Sequence, residues 1–297
     1  MSTLSVTTIQ TDLCWEDKLA NLRQLGEKID RIDDHTELVI LPEMFSTGFS
    51  MRPAELAEPM DGRTVEWMRN VAARKKVILT GSIIVAENGR YFNRLIWMLP
   101  TGKCGHYDKR HRFAYGGEDD QYTAGNKRLV ASVKGWKVLL LICYDLRFPV
   151  WSRQRVAAAG TAAAMAVNPV VNPASTSAAA GHAAPREGAA SAPSLEYDLI
   201  LYVANWPERR SLAWKTLLPA RAVENQSFVI GVNRVGSDGN NIAYAGDSMV
   251  IDPLGETIYH AGRGEDVHTL TIEKEHLETI RSRFPFWRDA DHFYIEP

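Results

Sequence analysis

A glutamate, a lysine and a cysteine each stand where a short apolar run gives way to polar residues. Glu43 follows Pro42 at the end of Leu38–Leu41, in the stretch LVILPEMF. Proline stops a strand, which would leave the carboxylate at the strand's mouth, a position suited to a general base. Lys109 lies in CGHYDKRHRF, just after a candidate hairpin strand. A lysine there can stabilise an oxyanion or favour a neighbouring thiolate. Cys143 ends Val138–Cys143, the most apolar short run, and is followed by polar Asp145 and Arg147 and by a helix expected near Pro149. A strand-to-helix turn exposes its residue at the sheet edge and aims backbone N–H groups at a developing negative charge. Taken alone, each has an ordinary explanation: a solvated carboxylate, a basic surface cluster, a buried core cysteine. Together, a thiol, a base and a cation are the parts of nucleophilic acyl transfer.

The elements that must position them follow from hydrophobic period. Leu38–Leu41, Val77–Val85, Leu95–Leu99, Val138–Cys143, Leu199–Ala204, Phe228–Val232 and Met249–Ile251 are short apolar or alternating runs, most of them bounded by Gly, Pro, Asn or Asp. They are expected to be strands, several buried on both faces. Asp17–Arg31, Thr64–Lys75 and Leu212–Glu224 carry apolar residues at helical spacing. Met98–Gly105 has turn chemistry and suggests a hairpin. Alternating strands and helices indicate a layered α/β fold, which binds ligands where its strands end.

At 297 residues the chain can bury a sizeable core without staples. Hydrophobic residues make up 45% and charged residues 24%, which argues against a disordered, collagen-like or membrane chain. The net charge of −2 gives no reason to expect nucleic acid or an anionic membrane as partner. Cys14, Cys104 and Cys143 cannot all pair with one another, and the start MSTLSVTTIQ lacks a basic, apolar leader. A cytoplasmic protein is expected. From Arg155 to Ser194 the chain has 16 Ala in 40 residues and no Leu, Ile, Phe, Tyr or Trp. This stretch is expected to be a flexible insertion in one domain spanning residues 1–297, because it buries too little apolar surface to offset its ordering entropy.

LPEMFSTGF, YDKRHRF and ICYDLRFPVW, in this order, resemble the three motifs of the nitrilase (carbon–nitrogen hydrolase) superfamily. YDLILYVANWP, RAVENQSFVIGVNRVGSDGN and GDSMVIDPLGE are similar to its bacterial omega-amidase branch, and the likeness runs from Leu4 to Phe293 except for the alanine-rich insert. The resemblance implies a four-layer αββα sandwich that pairs into a homodimer. It implies Cys143 as nucleophile, Glu43 as general base and Lys109 as the oxyanion-stabilising lysine. Glu118 in GGEDD, beside Asp119 and Asp120, matches a second glutamate found in many members, and the Tyr144 N–H would complete the oxyanion hole. No metal and no organic cofactor is implied, and no HExxH, CxxC or glycine-rich phosphate loop is present. His106 and His111 lack ligand spacing and are expected at the surface.

The implied reaction is hydrolysis of the terminal amide of 2-oxoglutaramate or 2-oxosuccinamate through a cysteine thioester. Other amidases of the superfamily, acting on deaminated glutathione, N-carbamoyl compounds or nitriles, share the same triad, and a non-catalytic binding protein would be expected to have lost part of it. A 2-oxo dicarboxylic monoamide needs a cation at its far carboxylate, for which Arg147, Arg112 and Arg234 are candidates. Trp206 and Phe45 or Phe49 are candidates to wall the pocket.

Overall fold

Successive side chains of a strand point to opposite faces, and Leu38–Leu41 divides its residues accordingly. Leu38 and Ile40 join one large core, while Val39 and Leu41 join a second core with Leu22, Leu25, Ile29, Val65 and Met68. A sheet buried on both faces results, with helices on one side and a second sheet on the other.

The computed structural model describes residues 2–157, 194–291 and 293–295. The first half of the chain contains β1 (Thr3–Gln10), α1 (Lys18–Asp30), β2 (Leu38–Ile40), α2 (Pro53–Leu56), α3 (Arg63–Lys75), β3 (Ile78–Glu87), β4 (Arg90–Met98) and β5 (Cys104–Asp108). It continues through α4 (Glu118–Gln121), β6 (Val130–Val133), β7 (Trp136–Ile142), α5 (Pro149–Ser152) and β8 (Val156–Ala157). The remainder holds β9 (Ser194–Leu195), β10 (Leu199–Val203), α6 (Ser211–Asn225), β11 (Phe228–Val232), β12 (Val235–Ser237), β13 (Ala243–Ala245), β14 (Met249–Ile251), β15 (Thr257–His260), β16 (Asp266–Glu273) and α7 (Lys274–Arg283).

Two six-stranded mixed sheets organise the molecule, in the orders β16-β1-β2-β3-β4-β5 and β15-β14-β11-β10-β7-β6. The neighbours β1/β2, β2/β3, β7/β10 and β10/β11 are parallel. Helices α1 and α3 cover the outer face of the first sheet. Leu4, Val6, Ile40 and Trp97 of that sheet share a core with Leu139, Leu141, Leu201 and Val203 of the second. Helix α6 covers the second sheet over Gly231, where an added Cβ would stand 2.6 Å from Leu218 and 2.7 Å from Trp214. The expected αββα layering is therefore present. The hairpin at Met98–Gly105 is also present, as the antiparallel pair β4/β5.

The alanine-rich segment expected to be flexible lies, from 158 to 193, outside the described residues. Its two ends are described. Val156–Ala157 pairs antiparallel with Ser194–Leu195. The side chain of Gln154 accepts from the N–H groups of Glu196 and Tyr197 and donates to the Tyr197 carbonyl. Among the described residues no helix is long and apolar enough to cross a membrane.

Candidate active site

Three strand ends converge at the edge where the two sheets meet. After β2 the chain turns at Pro42, and the turn is pinned to β3: Met44 N–H donates to Ser82 Oγ at 2.8 Å and Phe45 N–H to the Ser82 carbonyl at 3.1 Å. This carries Glu43 into the interior, where it is fully buried. After β5, Lys109 N–H donates to the Asn93 carbonyl at 3.0 Å, which keeps the lysine in register beside β4. After β7, Cys143 adopts φ 44°, a conformation that costs a non-glycine residue energy and persists only where its surroundings enforce it.

The enforcing group is Asp145. Its fully buried carboxylate accepts from the Ile142 N–H at 3.0 Å, the Tyr107 hydroxyl at 2.7 Å and the His111 N–H at 3.0 Å, with His111 Nδ1 at 2.8 Å. Trp151 Nε1 donates to the Tyr107 oxygen at 2.9 Å. The turn bearing the thiol is thus tied to the segment bearing Lys109. His111, expected at the surface with His106, is instead stacked on Phe148 at 3.8 Å and hydrogen-bonded inside this brace. Its neighbours in sequence, a run of basic residues, disguise that environment. His106 is exposed as expected.

Beneath the thiol lies a closed cluster of charge. Lys109 Nζ donates to Glu43 Oε1 at 2.9 Å and to Glu118 Oε1 and Oε2 at 3.0 and 2.8 Å. Asn93 Nδ2 reaches Glu43 at 2.7 Å and Glu118 at 3.3 Å. Asn205 N–H donates to Glu43 Oε2 at 2.8 Å, and Phe113 N–H donates to Glu118 Oε2 at 2.6 Å. Of the three successive acids Glu118, Asp119 and Asp120, only Glu118 is buried. Burial opposes the charge on Lys109, but the carboxylates of Glu118 and Glu43 outweigh it and hold the ammonium firmly protonated. Glu118 is raised above the usual carboxylate range by burial, with Lys109 opposing and Glu43 adding to the shift. The Cys143 thiol is pushed well above its ordinary value, first by burial and then by the charge of Glu43, with Lys109 opposing. Burial and the neighbouring carboxylate thus favour the neutral thiol over the thiolate. A base has to remove the proton.

Cys143 opens onto a cavity of about 210 Å³ whose lining includes Phe49, Phe113, Tyr144, Arg147, Trp206, Arg210 and Tyr244. Among the described residues no group of three or more His, Cys, Asp or Glu side chains could hold a metal ion. A buried thiol lining a pocket, backed by a carboxylate and a fixed cation, is equipped for acyl transfer.

The carbon–nitrogen hydrolase family model matches residues 5–282. The chain belongs to the carbon–nitrogen hydrolase family. As a member it is a hydrolase of carbon–nitrogen bonds other than peptide bonds. It is 39% identical to the omega-amidase YafV of Escherichia coli K12, over 99% of this chain and all of the relative. It is 27% identical to a 2-oxoglutaramate amidase of Bacillus subtilis, over 96% of each chain. The crystal structure of XC1258 from Xanthomonas campestris, a CN-hydrolase superfamily protein with an arsenic adduct in its active site, covers both chains fully at 40% identity and a TM-score of 0.86.

In this carbon–nitrogen hydrolase the sequence-predicted residues divide. Glu43, Lys109, Glu118 and Cys143 come together, and Tyr144, Arg147 and Trp206 line the cavity in front of them. Phe45 does not. It is buried in the helix-side core against Gly81, 5.9 Å from the Trp67 ring, and Phe49, one helical turn's length further on, takes the place at the cavity wall. Arg112 and Arg234 are also elsewhere. Arg112 donates to the carbonyls of Asp119 and Tyr122, and Arg234 is paired with Asp12 at 2.7 Å. Asn93, Asn205 and Arg210 are not marked in the sequence, and Asp145 stands out there only as part of the change to polar residues after Cys143. Asn205 follows β10 at a strand end, the signal that marked the other three sites. Asn93 lies within a strand and carries no such signal.

Proposed function

We propose that this protein is an omega-amidase that hydrolyses the terminal amide of 2-oxoglutaramate or 2-oxosuccinamate to the 2-oxo dicarboxylic acid and ammonia. Identity of 39% to an omega-amidase along the whole chain carries the substrate class. The chemistry is supported by the thiol above the Glu43–Lys109–Glu118 cluster.

In the proposed mechanism Glu43 takes the proton of the Cys143 thiol as the sulfur attacks the amide carbon. Lys109 Nζ and the Tyr144 N–H stabilise the negative charge that forms on the carbonyl oxygen. The carbon–nitrogen bond breaks, Glu43 gives its proton to the leaving nitrogen, and ammonia departs from a thioester on Cys143. Glu43 then takes a proton from water, the resulting hydroxide attacks the thioester, and the acid leaves as the thiol is re-formed. Glu118 and Asn93 hold Lys109 and Glu43 in place throughout. Arg147 and Trp206 face the substrate in the cavity. The proposal extends to a cytoplasmic, single-domain protein that pairs into a homodimer and works on a small amide without metal or organic cofactor.

Ammonia release from 2-oxoglutaramate, 2-oxosuccinamate, a nitrile and an N-carbamoyl amide by the purified chain tests the substrate class. The ω-amides should be turned over at least about tenfold faster than the others. Preference for the nitrile or the N-carbamoyl amide would move the protein to another branch of the family.

A further inference from the structure

Three guanidinium groups, those of Arg147, Arg209 and Arg210, line the cavity in front of Cys143. The one carboxylate in its lining, Asp238, is already occupied by the Tyr244 hydroxyl at 2.9 Å and by the N–H groups of Asn240 and Ile242 at 2.8 and 3.0 Å. The buried arginines Arg94, Arg221 and Arg234 each hold a carboxylate. Among the described residues Arg147, Arg209 and Arg210 hold none. Arg209 is exposed at the rim, whereas Arg210 is partly buried. Burial and the charges of Arg209 and Arg147 lower the Arg210 pKa, so three like charges share a lining with one carboxylate, Asp238, whose hydrogen bonds go to other groups.

Arg210 is also held in place. Its guanidinium lies 4.7 Å from the centre of the Phe113 ring, and Phe113 is tied through its N–H to Glu118. Its backbone carbonyl accepts from Trp206 Nε1 at 2.8 Å, and the face of the same indole carries Arg147 at 5.1 Å. Trp206 in turn is fixed by Asn233, which accepts from its N–H at 2.7 Å and donates to its carbonyl at 3.0 Å. One aromatic frame thus presents two cations to the cavity and links them to the charged cluster below the thiol.

We propose that Arg210, aided by Arg147, selects substrates that carry a carboxylate at the end remote from the amide. The inference rests on the omega-amidase reading and deepens it: in 2-oxoglutaramate the carboxylate is separated from the amide carbon by four carbon–carbon bonds. A planar guanidinium can take both carboxylate oxygens, and a bound anion relieves the repulsion among the three arginines.

The test compares kcat/KM for glutaramate with that for pentanamide, which has a methyl group in place of the carboxylate, in the wild-type chain and in Arg210→Ala, Arg210→Gln and Arg210→Lys. The wild type should favour glutaramate. In Arg210→Ala and Arg210→Gln that preference should fall about 10- to 100-fold, mainly through KM, and Arg210→Lys should keep part of it. The glutamine variant preserves most of the side chain's bulk on Phe113 should the alanine variant fail to fold. A preference unchanged within about twofold in folded variants overturns the inference, including the case where both rates fall together, which marks a structural role. A wild type with no preference for glutaramate overturns the omega-amidase reading itself, and the inference with it.

Discussion

Nζ of Lys109 lies 2.9 Å from Oε1 of Glu43, and both side chains are sealed from solvent. The pair is built before any substrate arrives, so no water has to be displaced from either group as charge develops on the substrate. Such a pair is a poor source of stability, because desolvating two charges costs about as much as their attraction returns. Its removal by halves is another matter.

Lys109→Met leaves Glu43 and Glu118 facing each other without their cation. The variant should lose about 3–5 kcal/mol of stability and at least about 100-fold in kcat. Urea unfolding beside ammonia release checks both. Wild-type stability in this variant would mean that the two carboxylates do not depend on the lysine.

The Cys143 thiol stands above its ordinary value, so the neutral form dominates at neutral pH and the thiolate grows in only in alkali. Alkylation of Cys143 by neutral iodoacetamide should therefore keep rising with pH through and beyond the ordinary thiol range. Glu43→Gln removes one of the charges that raise the thiol, so its profile should shift to lower pH even as turnover is lost. A plateau already reached at pH 7 in the wild type would show a preformed thiolate.

Asp145 receives its contacts from Tyr107, His111 and Ile142 while Cys143 sits at φ 44°. Asp145→Asn sets an amide group against those donors. It should cost about 1.5–3 kcal/mol and depress kcat more than KM, because the thiol turn relaxes while the cavity wall stays. Tyr107→Phe, which removes one contact, should lose less of both. Steady-state kinetics and thermal unfolding of the two variants separate these outcomes, and an unaffected kcat in Asp145→Asn would show that the turn needs no brace.

Ala157 and Ser194 are paired across the antiparallel strands at the foot of the insertion. Joining them through Asn-Gly, in place of residues 158–193, makes a two-residue hairpin with a favoured turn. The shortened chain should fold and keep its ammonia release within about threefold of the full chain, since Asp145 braces the turn that bears Cys143. A loss of activity in a folded, shortened protein would give the insertion a part in the reaction.

Much of this arrangement is legible in sequence where apolar runs are long and end abruptly. The runs around Val77–Val85, Val138–Cys143 and Phe228–Val232 became strands, and the residues that follow β2, β5 and β7 became the charged cluster and its thiol. The edge strand β16 and its neighbour β1 were less visible. In β1, Thr and Ser alternate with apolar residues, and their hydroxyls pair with β16 as Ser5–Thr271 and Thr7–Thr269, both at 2.8 Å. A hydroxyl ladder stabilises a sheet edge without an apolar signature. Helix α7 buries only Leu277 and Ile280, too narrow a stripe to register a period. The pocket was harder still. Arg112, Arg147, Arg210 and Arg234 look alike in sequence, and only their neighbours in space set them apart: backbone carbonyls for Arg112, a carboxylate for Arg234, and an aromatic ring at the cavity for Arg147 and Arg210.

The proposed reaction passes through a bond between the amide carbon and the Cys143 sulfur. Acid quenching of the full chain during turnover of 2-oxoglutaramate, followed by intact-mass and peptide analysis, tests it directly. An adduct equal in mass to substrate less ammonia is expected, confined to the peptide bearing Cys143 and missing from an inactive Cys143→Ala variant. Ammonia release that continues undiminished in Cys143→Ala, with no adduct on the wild-type chain, would contradict it.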